Sequence, residues 1–131
     1  MHVPPRTLDD LLLYRTSRLL SVAGSLVIRL CEGRFGITRR EWRLIATLAG
    51  HGALGSSQLA EQAQLDRART SRAVTSLVRK GLVSREQPAG DQRHVLLRLT
   101  APGKKLHANL YPLVSAINTE LLGALKDDEV A

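Results

Sequence analysis

The stretch from Leu59 to Leu82, LAEQAQLDRARTSRAVTSLVRKGL, restricts the possible folds more than any other part of the chain. It holds two helical patterns separated only by Gln64, Leu65 and Asp66. In the first, Ser57 to Ala63, one face gathers Leu59, Ala60 and Ala63. In the second, Arg67 to Lys80, the residues Thr70, Ala73, Val74, Leu77 and Val78 recur at spacings of three and four. Asp66 is placed to accept an orphan backbone N–H at the start of this helix, and Gly81 follows its end. The opposite face carries Arg67, Arg69, Ser71, Arg72, Thr75 and Ser76. Two short helices around a tight turn, with arginines and hydroxyls opening the second, form the pattern of a DNA-reading helix-turn-helix.

The flanks read as support for that unit. Residues Met1 to Arg6 form a lead-in, with Pro4-Pro5 delaying any regular element. Thr7 is the expected cap of a long helix to about Gly33, with Asp9 and Asp10 in its first turn. Leu8, Leu12, Leu19, Leu26 and Leu30 share one face; Leu13, Leu20 and Val27 share another, and Leu11, Val22 and Ile28 widen the apolar surface. A helix apolar on more than one face is rarely a surface helix. In a chain of 131 residues, one face is expected to meet a second subunit. Thr38 and Glu41 have capping-box spacing, and the helix behind them is expected to bury Trp42, Ile45, Leu48 and Ala49 while leaving Arg39, Arg40 and Arg43 outside. His51 to Gly55 reads as a glycine-rich connection, with Ser56 as the next cap. After Gly81 the period changes to two. Val83–Gln87 and Val95–Leu99, joined by Pro88-Ala89-Gly90-Asp91, read as a two-stranded hairpin, a wing. Thr100 caps a last helix with Leu106, Leu110, Leu113, Val114 and Ile117 on its inner face, and Pro112 is expected to kink or break it. The predicted architecture is a mostly α winged helix-turn-helix in one domain: residues 38–100 form the lobe, and 7–33 and 101–131 the helices that pair two copies.

The formal net charge is +7, and the segment from Asp66 to Arg98 holds eight basic against three acidic side chains. Such a concentration suits a phosphate backbone. Aromatic residues make up only 3%, which argues against stacking on single strands. Cys31, the one cysteine, excludes an intrachain disulfide and a cysteine metal cluster. His2, His51, His94 and His107 are scattered, and no nucleophile motif or paired carboxylates appear, so neither catalysis nor a cofactor or metal is expected. The N-terminus lacks an apolar signal core, and the longest uncharged run near it is too short for a bilayer; a cytoplasmic protein is expected.

The sequence resembles the MarR (multiple antibiotic resistance regulator) family over about residues 8 to 126. The resemblance rests on Leu59-Ala60, the helix through Leu77, the run Lys80-Gly81-Leu82-Val83, and above all Asp91-Gln92-Arg93 ahead of Leu99-Thr100 and Gly103. It implies a winged-helix homodimer on a palindromic double-stranded operator. The usual member is a repressor released by a small phenolic or aromatic carboxylate bound between the dimer helices and the DNA-binding lobe.

On these readings Arg69 and Arg72 are the candidates for guanine edges. Ser71 and Thr75 would bond phosphates or bases, Arg67 would face phosphates at the helix start, and Arg85 is a further DNA-binding candidate or else a solvated surface charge. Arg93 resembles the wing arginine that enters the minor groove, with Asp91 as its orienting partner. Trp42 and Tyr111 read first as core aromatics, or else as walls of the ligand cleft. Arg15 and Arg18 read as salt-bridging residues of the long helix, or else as partners of a ligand carboxylate. Two other functions remain open: a winged-helix protein-interaction module without DNA readout, and a redox sensor through Cys31, against which stands a buried inert thiol.

Overall fold

The computed structural model describes residues 11–87 and 95–130, and the side chains of all of these except 12 and 125–130. The expected cap at Thr7, with Leu8, Asp9 and Asp10, lies outside the described residues, as do the wing-tip residues Asp91 and Arg93. The order of elements is α1 (Leu12–Arg29), a π-helical turn (Leu30–Arg34), α2 (Arg39–His51), β1 (Ala53–Gly55), α3 (Ser56–Ala63), α4 (Arg67–Arg79), β2 (Val83–Glu86), β3 (Leu96–Leu99) and α5 (Ala101–Val130).

The first helix does not stay α-helical to Gly33. From Leu30 it widens into the π turn, and the Cys31 carbonyl accepts from both Phe35 N–H (3.2 Å) and Ile37 N–H (3.0 Å). Gly36 reverses the chain at φ +68°, a value that favours glycine. The turn buries Cys31 and Ile37 in the same core as α2. α2 begins at the expected capping box: Glu41 N–H donates to Thr38 Oγ1 (3.0 Å) and Thr38 N–H to Glu41 Oε1 (2.9 Å). It buries Trp42, Leu44, Ile45 and Leu48. Ala49, expected inside, is exposed, because Leu44 and Leu48, four residues apart, carry the inward stripe.

α3 and α4 follow the predicted helix-turn-helix. Leu59, Ala60 and Ala63 of α3 and Thr70, Ala73, Val74 and Leu77 of α4 are buried, with Val78 half-buried. Asp66 caps α4 by accepting from Arg69 N–H at 2.8 Å. The α3 cap is Gly55 rather than Ser56: Gly55 N–H donates to the Gln58 side-chain oxygen (3.1 Å), and Ser56 is the first helical residue. Gly55 also ends a strand that the glycine-rich reading of His51–Gly55 missed. β1 pairs antiparallel with β3, so the sheet has three strands in the order β1-β3-β2. A two-stranded wing would leave one edge of β3 unpaired, and Ala53–Gly55 supplies the missing donors and acceptors.

α5 runs as one helix through Pro112, without the expected break. The proline costs the Ala108 carbonyl its helical partner, but both residues are exposed, so water can take that place. The start of α5 is locked to the end of the helix-turn-helix. Thr100 Oγ1 donates to the Gly81 carbonyl (2.6 Å) and accepts from Gly103 N–H (3.1 Å), while Thr100 N–H donates to the Leu82 carbonyl (3.1 Å). Gly103 lies so close to Leu82 that a Cβ there would overlap the Leu82 carbonyl oxygen. The Leu-Thr-x-x-Gly spacing is thus a packing requirement.

The core runs from Cys31 to Leu110: most of it lies within residues 38–100, joined by Cys31 and Ile37 from the turn before α2 and Leu110 from α5. α1 packs on α5, but none of its described side chains is buried, and Leu13 (86% exposed), Leu20, Val22, Leu26 and Ile28 remain open to solvent. Gly103→Ala is expected to lower unfolding stability by about 1–3 kcal/mol in chemical denaturation. Gly33→Ala, where a Cβ meets nothing within 4 Å, should leave stability within about 0.5 kcal/mol of wild type. Equal effects of the two would contradict the close approach at Leu82.

Candidate nucleic-acid interface and adjoining groove

The outward face of α4 is mostly polar and basic, with Ala68 its small apolar residue. Arg67, Arg69, Ser71, Arg72 and Thr75 are all exposed on it, opposite Thr70, Ala73, Val74 and Leu77. Ser76, expected on that face, is half-buried instead. The side chains are already ordered by one another. Arg69 Nε sits 3.2 Å from Asp66 Oδ2, and the Arg69 amide, with the Arg69 and Arg72 guanidiniums beside it, holds the Asp66 carboxyl below its usual range. Arg85 of β2 reaches across to α4, donating from Nη2 to Thr75 Oγ1 at 3.1 Å, while Thr75 donates to the Ser71 carbonyl at 3.0 Å. The first strand of the wing is therefore tied to the exposed helix face, and Arg85 joins the two elements.

Lys80 does not belong to that surface. Its Nζ donates to Glu41 Oε1 (2.8 Å) and to the Gly36 carbonyl (2.9 Å), joining the end of α4 to the start of α2. Glu41 is 2% exposed. Burial alone would raise its carboxyl, but the Lys80 ammonium and the Thr38 amide outweigh this and hold it below the usual carboxylate range. Arg98 is likewise used internally, with its Nε 3.4 Å from Glu86 Oε2 on the neighbouring strand. Counting charges along the sequence overstated what this segment offers a phosphate backbone, because the partner of Lys80 lies 39 residues away.

On its other side α2 borders an open groove of about 430 Å³, lined by Val27 of α1, Arg39, Trp42, Arg43, Ala46 and Thr47 of α2, and Val114 of α5. Trp42, expected in the core or in a cleft, serves both: it is 8% exposed and forms part of the wall. Behind it His107 stacks on the indole, centroids 5.6 Å apart and planes 19° from parallel, and Tyr111 tilts against His107 at 5.4 Å. Tyr111 is 54% exposed, so it is neither core nor groove wall; it covers the outer face of the imidazole. Burial lowers the His107 pKa, so the ring is held neutral in the stack. Arg15 and Arg18 lie on α1 and do not line the groove. The arginines that do, Arg39 and Arg43, were legible only as an outward basic stripe. Which neighbour that stripe faces depends on how α1 and α5 pack.

Cys31 is fully buried in the π turn. Burial, with help from Glu32 and against Arg39, raises its pKa and keeps the thiol protonated, which disfavours the redox reading. Among the described residues no cluster of His, Cys, Asp or Glu could hold a metal ion, and no helix is long and apolar enough to cross a membrane.

A family model described as the MarR family matches residues 37–95. The chain is similar to the HTH-type transcriptional regulator FarR of Neisseria gonorrhoeae, with 42% identity over 74 residues that make up 56% of this chain and 51% of FarR. It thus matches about half the length of that relative. A MarR family transcriptional regulator from Silicibacter pomeroyi superposes with a TM-score of 0.73 at 30% identity, covering 94% of this chain and 82% of that one. NadR, solved in complex with 4-hydroxyphenylacetate, superposes at 0.68 with 28% identity, covering 99% of this chain and 89% of NadR.

Two pH-dependent results follow from the geometry. The lowered Glu41 pKa contributes stability that is present above its ordinary value of 4.5 and lost as the pH falls through the lower folded-state value. Glu41→Gln should cost about 2 kcal/mol at neutral pH and flatten that acid limb of the stability curve; an unchanged limb would deny the pair its role. For His107 the folded pKa is depressed, so its contribution is present above 6.5 and lost as the pH falls through the lowered value. Trp42 is the one tryptophan. Its fluorescence is expected to be quenched as His107 protonates, with a midpoint below 6.5 that disappears in His107→Gln. A midpoint above 6.5 would mean that the stack does not shield the imidazole.

Proposed function

The chain belongs to the MarR family, and on that footing we propose that it is a sequence-specific, DNA-binding transcriptional regulator: a cytoplasmic repressor of a nearby operon, released by a small aromatic anion. The observation that carries this reading is the exposed face of α4, where Arg67, Arg69, Ser71, Arg72 and Thr75 stand together and the small Ala68 is the apolar residue among them. A helix presenting guanidiniums and hydroxyls on one side and a packed core on the other fits a major groove. Arg69 and Arg72 would read base edges; Arg67, Ser71 and Thr75 would hold phosphates; Arg85 would set the wing against the helix. Asp91 and Arg93 would carry the wing tip into the minor groove, a role that rests on their resemblance to the family motif.

Operator palindromes require two copies. The apolar residues left open on α1, together with Tyr111 and Leu122 on α5, supply the surface for a homodimer. The groove at Trp42, between the dimer helices and the lobe, is where an effector would sit. Its occupation would favour a dimer whose recognition helices no longer match half-sites about one helical turn apart. The protein-interaction reading has less support, since such a module needs no guanidinium-lined helix.

Binding to the chain's own upstream DNA against random DNA, measured across salt concentration, tests the proposal. A preference of about a thousandfold with a steep salt slope is expected, whereas equal weak binding to all sequences would favour the interaction module. Arg93→Ala is expected to weaken operator binding by roughly ten- to a hundredfold while the dimer persists in sedimentation. Full operator affinity in that variant would remove the wing assignment.

A further inference from the structure

We infer that the groove at Trp42 selects a ligand with two acidic groups, one for Arg39 and one for Arg43; this rests on the effector reading of the groove given above. Lys80 and Arg98 are taken up by the fold, Lys80 on Glu41 and Gly36 and Arg98 on Glu86. Arg39 and Arg43 differ. Among the described residues no carboxylate lines the groove and none pairs with either arginine. The rest of the wall is Val27, Trp42, Ala46 and Val114, plus Thr47, whose hydroxyl is already donated to the Arg43 carbonyl at 2.7 Å. The charged groups that the described wall offers a ligand are therefore the two guanidiniums.

These two are separate anchor points. They leave α2 on successive turns, about 6 Å apart along the axis. The head of Arg39 crosses to α1, where its Nη1 rests 3.4 Å from the place a Cβ on Gly24 would take. One carboxylate is satisfied by one guanidinium binding it bidentately, which leaves the second arginine unmatched. A flat apolar body against Trp42, carrying one acid toward each arginine, matches both and neutralises the groove.

The test compares benzoate with isophthalate and terephthalate on the full chain, read by quenching of Trp42 and by calorimetry. At least one diacid is expected to bind about tenfold or more tightly than benzoate. Arg39→Gln and Arg43→Gln should each reduce that diacid to the benzoate level. Arg40→Gln, on the same helix but outside the groove lining, should keep the preference and so separates site binding from bulk charge. Equal affinity for mono- and diacids, or equal losses in Arg40→Gln, would overturn the two-acid inference and leave the effector reading standing. No response to any of the acids up to about millimolar concentration would overturn both.

Discussion

A buried carboxylate needs a matched cation or it costs several kcal/mol, and in this protein the arrangement of the lobe depends on how Glu41 meets that requirement. Its Oε1 takes the Thr38 amide and the Lys80 ammonium, and Lys80 adds the Gly36 carbonyl. One oxygen thus starts α2, ends α4 and ties both to the turn that follows α1. Because α4 is held at its C-terminal end by Lys80 and along its inner face by Thr70, Ala73, Val74 and Leu77, its outer face has a defined direction. The same first two turns of α2 hold Arg39, Trp42 and Arg43 against α1 and α5. A displacement of α2 on the groove side would therefore bear on the end of the helix proposed to read DNA.

The second joint is at Thr100 and Gly103. Here the wing's return strand becomes the long helix that carries the open Tyr111 and Leu122 and packs on α1, and the junction hangs on the Gly81 and Leu82 carbonyls just past α4. Gly103 permits an approach that no side chain would allow. The lobe and the helix proposed for pairing are consequently fixed to one another at the C-terminal end of α4. A change in how two copies pair would be passed to the exposed helix face rather than absorbed in a loose connection.

Much of this could be read from the chain in order because its causes are local. The Thr38–Glu41 capping box, the Asp66 cap, Gly81 past α4 and the three-four spacing of the α4 core all depend on neighbours within a turn or two, and each stands where the pattern placed it. The misreadings share another cause. Ala53–Gly55 looks like a loop because its strand character comes from an edge of β3 more than forty residues on. Pro112 looks like a breaker, yet α5 continues because that side of the helix faces solvent. Lys80 looks like one more charge for DNA until its partner on α2 is known.

The sequence by itself determined the main helices, the two wing strands, the helix-turn-helix and most residues on the outer face of α4, since periodicity, caps and turn residues act over a few positions. The tertiary structure alone decided which charges remain available and which are used within the fold, and which arginines line the groove at Trp42. Those outcomes depend on segments far apart in the chain meeting through the core, and no local pattern records where a side chain's distant partner lies.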